Sequence, residues 1–273
     1  MVRRRQRRFD LRKALFVLPN AFTVSSICCG IYAIILASGD ATPDHMLRAA
    51  IAIFFGVFFD AMDGRVARLT RTQSDFGVEI DSLADVITFG VAPAILVYNW
   101  GLEPLGKLGL VATFIYTGCG AIRLARFNVI ARHSPSVTEH FIGLPIPLAA
   151  GTIVSLVIAH HSLRSGDVVR HGSVVALVLV LSYLMVSNVR YRTFKGARLS
   201  VRALAVLAGV ILTLTVVFTI IGVSAALILV AMCGMYILLG LLEEVLFFKR
   251  RRVQERERKA DPGELVPHTP PGK

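Results

Sequence analysis

The chain has 273 residues, of which 55% are hydrophobic and only 18% are charged, and its mean hydropathy is +0.65. Soluble domains carry about 25% charged residues, so the composition excludes a disordered chain and argues against a water-soluble globule. The formal net charge is +12. Because the basic residues flank apolar runs, this charge indicates membrane orientation and contact with anionic lipid headgroups, and we expect no nucleic acid partner.

A basic tail opens the chain, and residues 1–13 hold seven Arg and Lys. Residues 9–18 then predict a short interfacial helix that ends before Pro19, so that 1–18 form a separate region. The length suits about eight membrane-spanning helices of about 20 residues each. The apolar runs that predict them are 20–38, 46–69, 78–99, 105–125, 143–161, 172–189, 202–221 and 223–247.

The C-terminal part differs from the rest in its pattern. The last two apolar runs are separated only around Gly222, which predicts a tight helical hairpin over 201–248. Residues 249–273 are charged and then rich in proline, and this composition predicts a disordered tail.

The Lys and Arg residues divide unevenly between the two sides of the predicted spans. With eight spans, 26 of the 30 lie on the side that holds both termini and four lie on the other. Because cytoplasmic loops are the basic ones, we expect a multi-pass protein of the cytoplasmic (inner) membrane with both termini in the cytoplasm. The same division favours an even number of spans.

Four aspartates interrupt the apolar runs. Asp60 and Asp63 lie in the second half of the second span, and Asp81 and Asp85 lie near the start of the third. Spacings of three and four residues place each pair on one helix face. A short connection makes the two helices antiparallel neighbours, so the two pairs are predicted to face each other across one cavity.

Such a cavity requires positive charge, protons or water. Each ionised Asp at the centre of a membrane helix costs about 2.5–3.5 kcal/mol on insertion scales. Divalent cations such as Mg²⁺ prefer oxygen ligands, and two of them about 3.5–4 Å apart suit displacement at phosphorus. The spacing is equally compatible with a cation or proton pathway, or with protonated carboxyls in a structural network.

Small and basic residues accompany the carboxylates in the pattern D-x2-D-G-x2-A-R-x8-G-x3-D-x3-D. Gly64, Ala67 and Gly77 leave space for a bulky ligand close to the helices. Arg68 lies on the same helix face as Asp60, where its guanidinium suits a phosphate. Helix packing would also explain Gly64, and anchoring at the membrane surface would also explain Arg68.

This pattern, complete at every fixed position, resembles the signature of the CDP-alcohol phosphatidyltransferases. The resemblance implies an all-α integral membrane protein whose six-helix core occupies 19–200, followed here by the C-terminal hairpin. It also implies a homodimer that uses Mg²⁺ or Mn²⁺, with two ions at the site. The implied metal ligands are Asp60, Asp63, Asp81 and Asp85, and Asp85 is also the implied general base. The implied nucleotide and donor contacts are Asp60, Gly64, Ala67, Arg68 and Gly77.

Further stretches resemble the branch of this family that uses serine. They are Asp81–Pro93, Arg123–Asn128, Gly143–Pro147, Asn188–Lys195 and the Leu18-Pro19-Asn20-x2-Thr23 start of the first span. They imply transfer of a phosphatidyl group from CDP-diacylglycerol to the hydroxyl of L-serine, with release of CMP. A serine carboxylate suits an Arg fork. The expected acceptor contacts are Arg123, Arg126, Asn128 and Ser82, although both arginines also suit ordinary anchoring at the membrane surface.

Two other functions stay open at this point. The same chemistry could use another alcohol, such as glycerol 3-phosphate or inositol phosphate. A protein of a different class, a cation or proton transporter, would use the aspartates as its pathway. The transporter would need the carboxylates but no space for a nucleotide, so the fixed Gly and Ala positions favour the enzyme.

Overall fold

The computed structural model describes residues 11–40, 42–70, 72, 74–133, 140–163, 171–192, 227–238 and 240. Within these residues the chain is almost entirely helical. The helices are α1 (Leu11–Ser38), α2 (Pro43–Thr70), α3 (Asp75–Asp85), α4 (Ala92–Val97), α5 (Lys107–His133), α6 (Ile146–Ser162), α7 (His171–Val186) and α8 (Leu227–Leu238). Two short strands, β1 (His140–Ile142) and β2 (Arg190–Arg192), form an antiparallel ribbon.

Helices α3 and α4 belong to one helical rod, Asp75–Leu105. A π segment, Val86–Val91, separates them, and a second one, Tyr98–Leu102, follows α4. A single 3₁₀ turn completes the rod at Leu105. Gly106 then has φ 55°, a left-handed value that glycine adopts without strain, and the chain reverses into α5.

Short-range caps determine where the two helices that carry the aspartates begin. Pro43 occupies the first position of α2, and the Thr42 hydroxyl accepts a hydrogen bond of 3.3 Å from the His45 amide. Ser74 is the N-cap of α3, and its hydroxyl accepts a hydrogen bond of 3.0 Å from the Gly77 amide. These caps define the first turn of each helix.

Four helices are long and apolar enough to cross a membrane, namely Leu18–Ser38, Pro43–Thr70, Asp75–Leu105 and Lys107–Ala131. Shorter apolar helices cover Ile146–Ser162, Gly172–Val186 and Leu227–Leu238. The chain is therefore a helical multi-pass membrane protein, and each of the first six predicted spans coincides with one of these helices. The seventh predicted span lies outside the described residues, as do the connection within the predicted hairpin and the predicted disordered tail.

The described helices pack into one bundle. Helix α1 runs along α2, the rod lies against both, α5 packs against α7, and α2 also contacts α6. Large apolar side chains on the outside of the bundle are exposed, among them Ile35 (64%), Phe114 (64%) and Tyr183 (73%). Exposed apolar surface of this extent would be unfavourable in water and suits contact with lipid.

The structure differs from the sequence-based expectation at two points. Helix α1 runs through Pro19 without a break, whereas the sequence predicted a separate helix over 9–18. A proline removes one backbone donor, and a membrane helix tolerates that loss. The β1–β2 ribbon was not predicted, because strands of three residues are too short to show a two-residue hydrophobic period.

Candidate active site

Three carboxylates meet where α2 faces α3. Side-chain oxygens of Asp60, Asp63 and Asp81 all lie within 4.8 Å of one another. Asp63 is buried, with 6% of its surface exposed, and the other two are half-buried. The two helices thus bring together residues from both predicted Asp pairs, as the spacing indicated.

Asp85 lies one turn further into the bundle than Asp81. Its carboxyl is close to that of Asp60. It does not belong to the group of three carboxylates whose oxygens all lie within 4.8 Å of one another. The guanidinium of Arg123, on α5, lies close enough to Asp85 to attract it electrostatically. Arg123 is itself only 8% exposed, and its Cζ lies 5.8 Å from the ring centroid of Phe127. Asp85 is therefore the carboxylate with a buried cation beside it.

Two oxygens of the cluster have no hydrogen-bond partner among the described residues. They are Oδ1 of Asp81 and Oδ1 of Asp85, and both are buried. A buried carboxylate oxygen without a partner is strongly unfavourable, because it has lost its hydration and gained nothing in return. A divalent cation with oxygen ligands would supply the missing interaction, so the residues present fit Mg²⁺ or Mn²⁺.

A threonine on α1 holds one of the carboxylates. The hydroxyl of Thr23 donates a hydrogen bond of 2.8 Å to Oδ2 of Asp63, and it also lies 3.2 Å from the carbonyl oxygen of Pro19. Thr23 is 3% exposed. Helix α1 therefore contributes to the site by orienting Asp63, although it carries no acidic residue there.

A pocket of about 430 Å³ opens beside the carboxylates. Its volume lies in the range of about 300–1,000 Å³ that small-molecule sites occupy. Four of the five predicted donor contacts line it, and Asp60 is the exception. The lining residues are Pro19, Asn20, Thr23, Asp63, Gly64, Ala67, Arg68, Thr72, Ser74, Asp75, Gly77, Val78 and Asp81.

The two glycines of the pocket have different surroundings. A Cβ at Gly64 would find Arg68 as its nearest neighbour, with Nη1 at 3.4 Å, so the Arg68 side chain lies along α2 over the glycine. A Cβ at Gly77 would lie 3.2 Å from the Ser74 hydroxyl that caps α3. Gly64 therefore lets the Arg68 guanidinium lie against α2, whereas Gly77 leaves room for the Ser74 hydroxyl that caps α3.

The predicted acceptor residues fall into two groups. Asn128 Nδ2 donates a hydrogen bond of 2.8 Å to the hydroxyl of Ser82, which joins α5 to α3 directly beside Asp81. Arg126 points to the end of α7, where Nη2 donates to Oδ1 of Asn188 at 2.7 Å and Nη1 donates to the Val186 carbonyl at 3.3 Å. Only Arg123, of the two arginines, approaches the carboxylates.

Asn20, Thr23 and Ser74 all line the pocket, although Asn20 and Thr23 were noted only within a stretch that resembles the serine-using branch and Ser74 was not predicted. A signal was present for the first two, since they are polar residues in the first turns of an otherwise apolar span. Ser74 could have been recognised as a helix cap from its position before an acidic first turn.

A pocket lined by carboxylates inside a bundle of membrane helices is typical of an integral membrane enzyme. The model of the CDP-alcohol phosphatidyltransferase family matches residues 16–246, and the chain belongs to this family. The chain is 35% identical to a CDP-diacylglycerol–serine O-phosphatidyltransferase of Helicobacter pylori (strain ATCC 700392 / 26695) over 237 residues, which cover 87% of this chain and 97% of the relative.

Two relatives from other organisms carry the same name. The protein from Bacillus subtilis (strain 168) is 35% identical over 179 residues, or 65% of this chain and 91% of the relative. The protein from Methanocaldococcus jannaschii is 36% identical over 183 residues, or 67% of this chain and 77% of the relative. The chain is thus similar to enzymes of this name from distant organisms.

Proposed function

We propose that this protein transfers the phosphatidyl group of CDP-diacylglycerol to the hydroxyl of L-serine and releases CMP. The observation that carries the proposal is the meeting of Asp60, Asp63 and Asp81 oxygens within 4.8 Å beside a pocket that has Arg68 in its wall. The names of the relatives support serine as the acceptor. Membership of the family favours this activity over a cation or proton transporter.

The carboxylates would hold the divalent metal, as two Mg²⁺ or Mn²⁺ ions. Asp60, Asp63 and Asp81 supply clustered oxygens, and Asp85 supplies a further unpartnered one. When bound, these cations would neutralise the donor's pyrophosphate and stabilise the charge on the departing CMP. Thr23 would keep Asp63 oriented through its hydrogen bond.

The donor nucleotide would occupy the pocket of about 430 Å³. Gly64, Ala67 and Gly77 would let it approach the helices, and Arg68 would pair with a phosphate oxygen. Asp60 does not line the pocket, and it would contact the donor from its place in the carboxylate cluster. The acyl chains of the donor would stay in the lipid, in contact with the exposed apolar faces of the same helices.

Asp85 would act as the general base. The serine hydroxyl oxygen forms a bond to the phosphorus of the phosphatidyl group, the bond from that phosphorus to the bridging pyrophosphate oxygen breaks, and CMP leaves with the electron pair. Asp85 takes the hydroxyl proton as the new bond forms. Arg123, beside Asp85, is the buried cation best placed for the serine carboxylate.

Three further residues would complete the acceptor site. Ser82 and Asn128 form a polar pair next to Asp81, within reach of a small polar substrate. Arg126 would contribute a second cation at the same end of α5. In the free protein it is held by Asn188, and serine would use its remaining donors.

The enzyme would lie in the cytoplasmic (inner) membrane with both termini in the cytoplasm, and the distribution of Lys and Arg supports this orientation. It would work as a homodimer built on a core over 19–200, with 1–18, 201–248 and 249–273 as additions. Reporter fusions after each predicted span test the orientation, and native mass spectrometry of the purified protein tests the dimer.

The direct test is CMP release by the purified protein from CDP-diacylglycerol with Mn²⁺ or Mg²⁺. L-serine is compared with glycerol 3-phosphate, inositol and inositol phosphate in parallel reactions. Release that depends on serine supports the proposal. Release with another alcohol would retain the phosphatidyl transfer and replace the acceptor. Folded protein that releases CMP with none of them would contradict the enzyme and favour a transporter.

A further inference from the structure

A buried polar contact joins three helices next to the carboxylates. Thr88, in the π segment Val86–Val91, is 0% exposed, and its hydroxyl donates a hydrogen bond of 3.0 Å to the backbone oxygen of Ser26 on α1. The Ser26 hydroxyl lies 3.2 Å from the carbonyl oxygen of Gly56 on α2 and 3.4 Å from Oγ1 of Thr88. We refer to Ser26, Gly30, Gly56 and Thr88 as the Thr88 node.

Two glycines make room for this contact. A Cβ at Gly30 would lie 2.9 Å from Cα of Thr88, and a Cβ at Gly56 would lie 2.5 Å from its Cγ2. Carbon atoms in favourable contact are about 3.5–4.0 Å apart, so a side chain at either position would push the rod away. Thr88 is therefore seated directly on the backbones of α1 and α2.

The node lies one helical turn from the site on all three helices. Thr23 precedes Ser26 by three residues on α1, and Asp60 follows Gly56 by four residues on α2. Asp85 precedes Thr88 by three residues on the rod. Residues three or four apart lie on the same face of α1 and α2, and Asp85 is the last α-helical residue before the π segment, so a displacement of the node would reach the carboxylates.

The Thr88 node lies where the rod departs from α-helical geometry. The amide of Ala92 bonds to the carbonyl of Ile87, five residues earlier, and the regular spacing of the helix is interrupted there. Asp81 and Asp85 therefore stand in a different rotational phase from α4 than a continuous α-helix would give them, and Thr88 lies where the phase changes. The Tyr116 hydroxyl holds the same segment from α5 by donating to the Phe89 carbonyl at 3.2 Å.

We propose that Thr88 is a positioning residue that holds Asp81 and Asp85 against Asp60 and Asp63 at the separation a divalent cation requires. The inference rests on the proposed function, because it presumes that the carboxylates bind metal. The hydroxyl of Thr88 fixes the rotation of the rod on α1, and its methyl group fixes the distance to α2. Thr88 touches neither substrate nor metal and acts through the carboxylates.

The test measures Mn²⁺ binding to the purified full-length protein by electron paramagnetic resonance, without substrate. Thr88→Val keeps the shape of the side chain and removes the hydroxyl. We expect its Mn²⁺ dissociation constant to rise by up to about tenfold, the lower end of the loss that follows removal of a residue bonded directly to a metal ligand, because Thr88 acts on the carboxylates through the rod. Thr88→Ser restores the hydroxyl and should recover most of the affinity.

A matched control is Thr113→Val in α5. Thr113 is also buried, at 8% exposed, but its hydroxyl bonds to Gly109 within its own helix. This variant should bind Mn²⁺ like the wild type. Ser26→Ala removes the contact to Gly56 and leaves the bond from Thr88 to the backbone of residue 26. Its Mn²⁺ dissociation constant should lie between those of the wild type and Thr88→Val. If Thr88→Val does not fold, this variant tests the positioning role.

The two proposals fail in different ways. Wild-type protein that binds no Mn²⁺ and releases no CMP would overturn the proposed function. Active wild-type protein together with folded Thr88→Val or Ser26→Ala variants of unchanged Mn²⁺ affinity would overturn the positioning role alone. Equal loss of affinity in Thr88→Val and Thr113→Val would also overturn it, since the effect would then belong to any buried threonine.

Discussion

Thr23 and Asp63 lie 40 residues apart in the chain, and the Thr23 hydroxyl donates a hydrogen bond of 2.8 Å to Oδ2 of Asp63. The contact makes α1 part of a site whose acidic residues all come from other helices. A carboxylate that accepts such a bond has less freedom to rotate away from the cluster. The hydrogen bond thus orients a proposed metal ligand.

Thr23→Val should weaken metal binding without unfolding the protein. Loss of a residue that hydrogen-bonds to a metal ligand lowers metal affinity by about 10–100-fold, so the Mn²⁺ concentration for half-maximal CMP release should rise by a similar factor. Ser25→Ala is the control, because the Ser25 hydroxyl is exposed and bonds to Ala21 in its own helix. An unchanged Mn²⁺ requirement in Thr23→Val would show that Asp63 does not depend on this bond.

Chelation should abolish turnover reversibly. The buried Oδ1 atoms of Asp81 and Asp85 have no hydrogen-bond partner among the described residues, and a divalent cation would supply the missing interaction. With EDTA in excess, CMP release should stop, and Mn²⁺ or Mg²⁺ added beyond the chelator should restore it. Full activity in EDTA would remove the metal from the proposed mechanism.

Asp81→Asn and Asp85→Asn should fail in different ways. Asp81 belongs to the group of three clustered carboxylates. Loss of a residue that only hydrogen-bonds to a metal ligand lowers metal affinity by about 10–100-fold, so the loss of a ligand itself should raise the Mn²⁺ requirement at least tenfold. Asp85→Asn loses the proposed base, and kcat should fall by about 10²–10⁴. Excess Mn²⁺ should not restore it. Both variants are compared at several Mn²⁺ concentrations, and recovery of Asp85→Asn at high Mn²⁺ would contradict its role as base.

The helices and the meeting of the Asp pairs were predictable because both depend on local rules. Apolar run length sets the first six helices, and the spacing of the aspartates sets their shared face. The bond from Thr23 to Asp63 was not predictable, since no local rule links residues on different helices. The π segment Val86–Val91 was not predictable either, since its sequence has no periodicity that distinguishes a π turn from an α-helical turn.

Arg126→Ala should raise the KM for serine more than the KM for CDP-diacylglycerol. A hydrogen bond to a charged group contributes about 1.5–3 kcal/mol, so the serine KM should rise about tenfold or more. Asn188→Ala is the matched variant, because it removes the side-chain partner of Arg126 and leaves the guanidinium and its bond to the Val186 carbonyl. If Asn188→Ala raises the serine KM equally, Arg126 acts by holding the end of α7. A rise confined to the donor KM would assign Arg126 to CDP-diacylglycerol.

Gly64→Ala should impair donor binding while leaving the fold intact. The added Cβ would meet Arg68 Nη1 at 3.4 Å, an ordinary contact that a long side chain can accommodate. A donor lying against Gly64 would instead be crowded, and overpacking costs about 1–3 kcal/mol, so the KM for CDP-diacylglycerol should rise about fivefold or more. Gly118→Ala in α5 is the control, because its Cβ would point into open space. An unchanged donor KM in Gly64→Ala would place the nucleotide away from this face of α2.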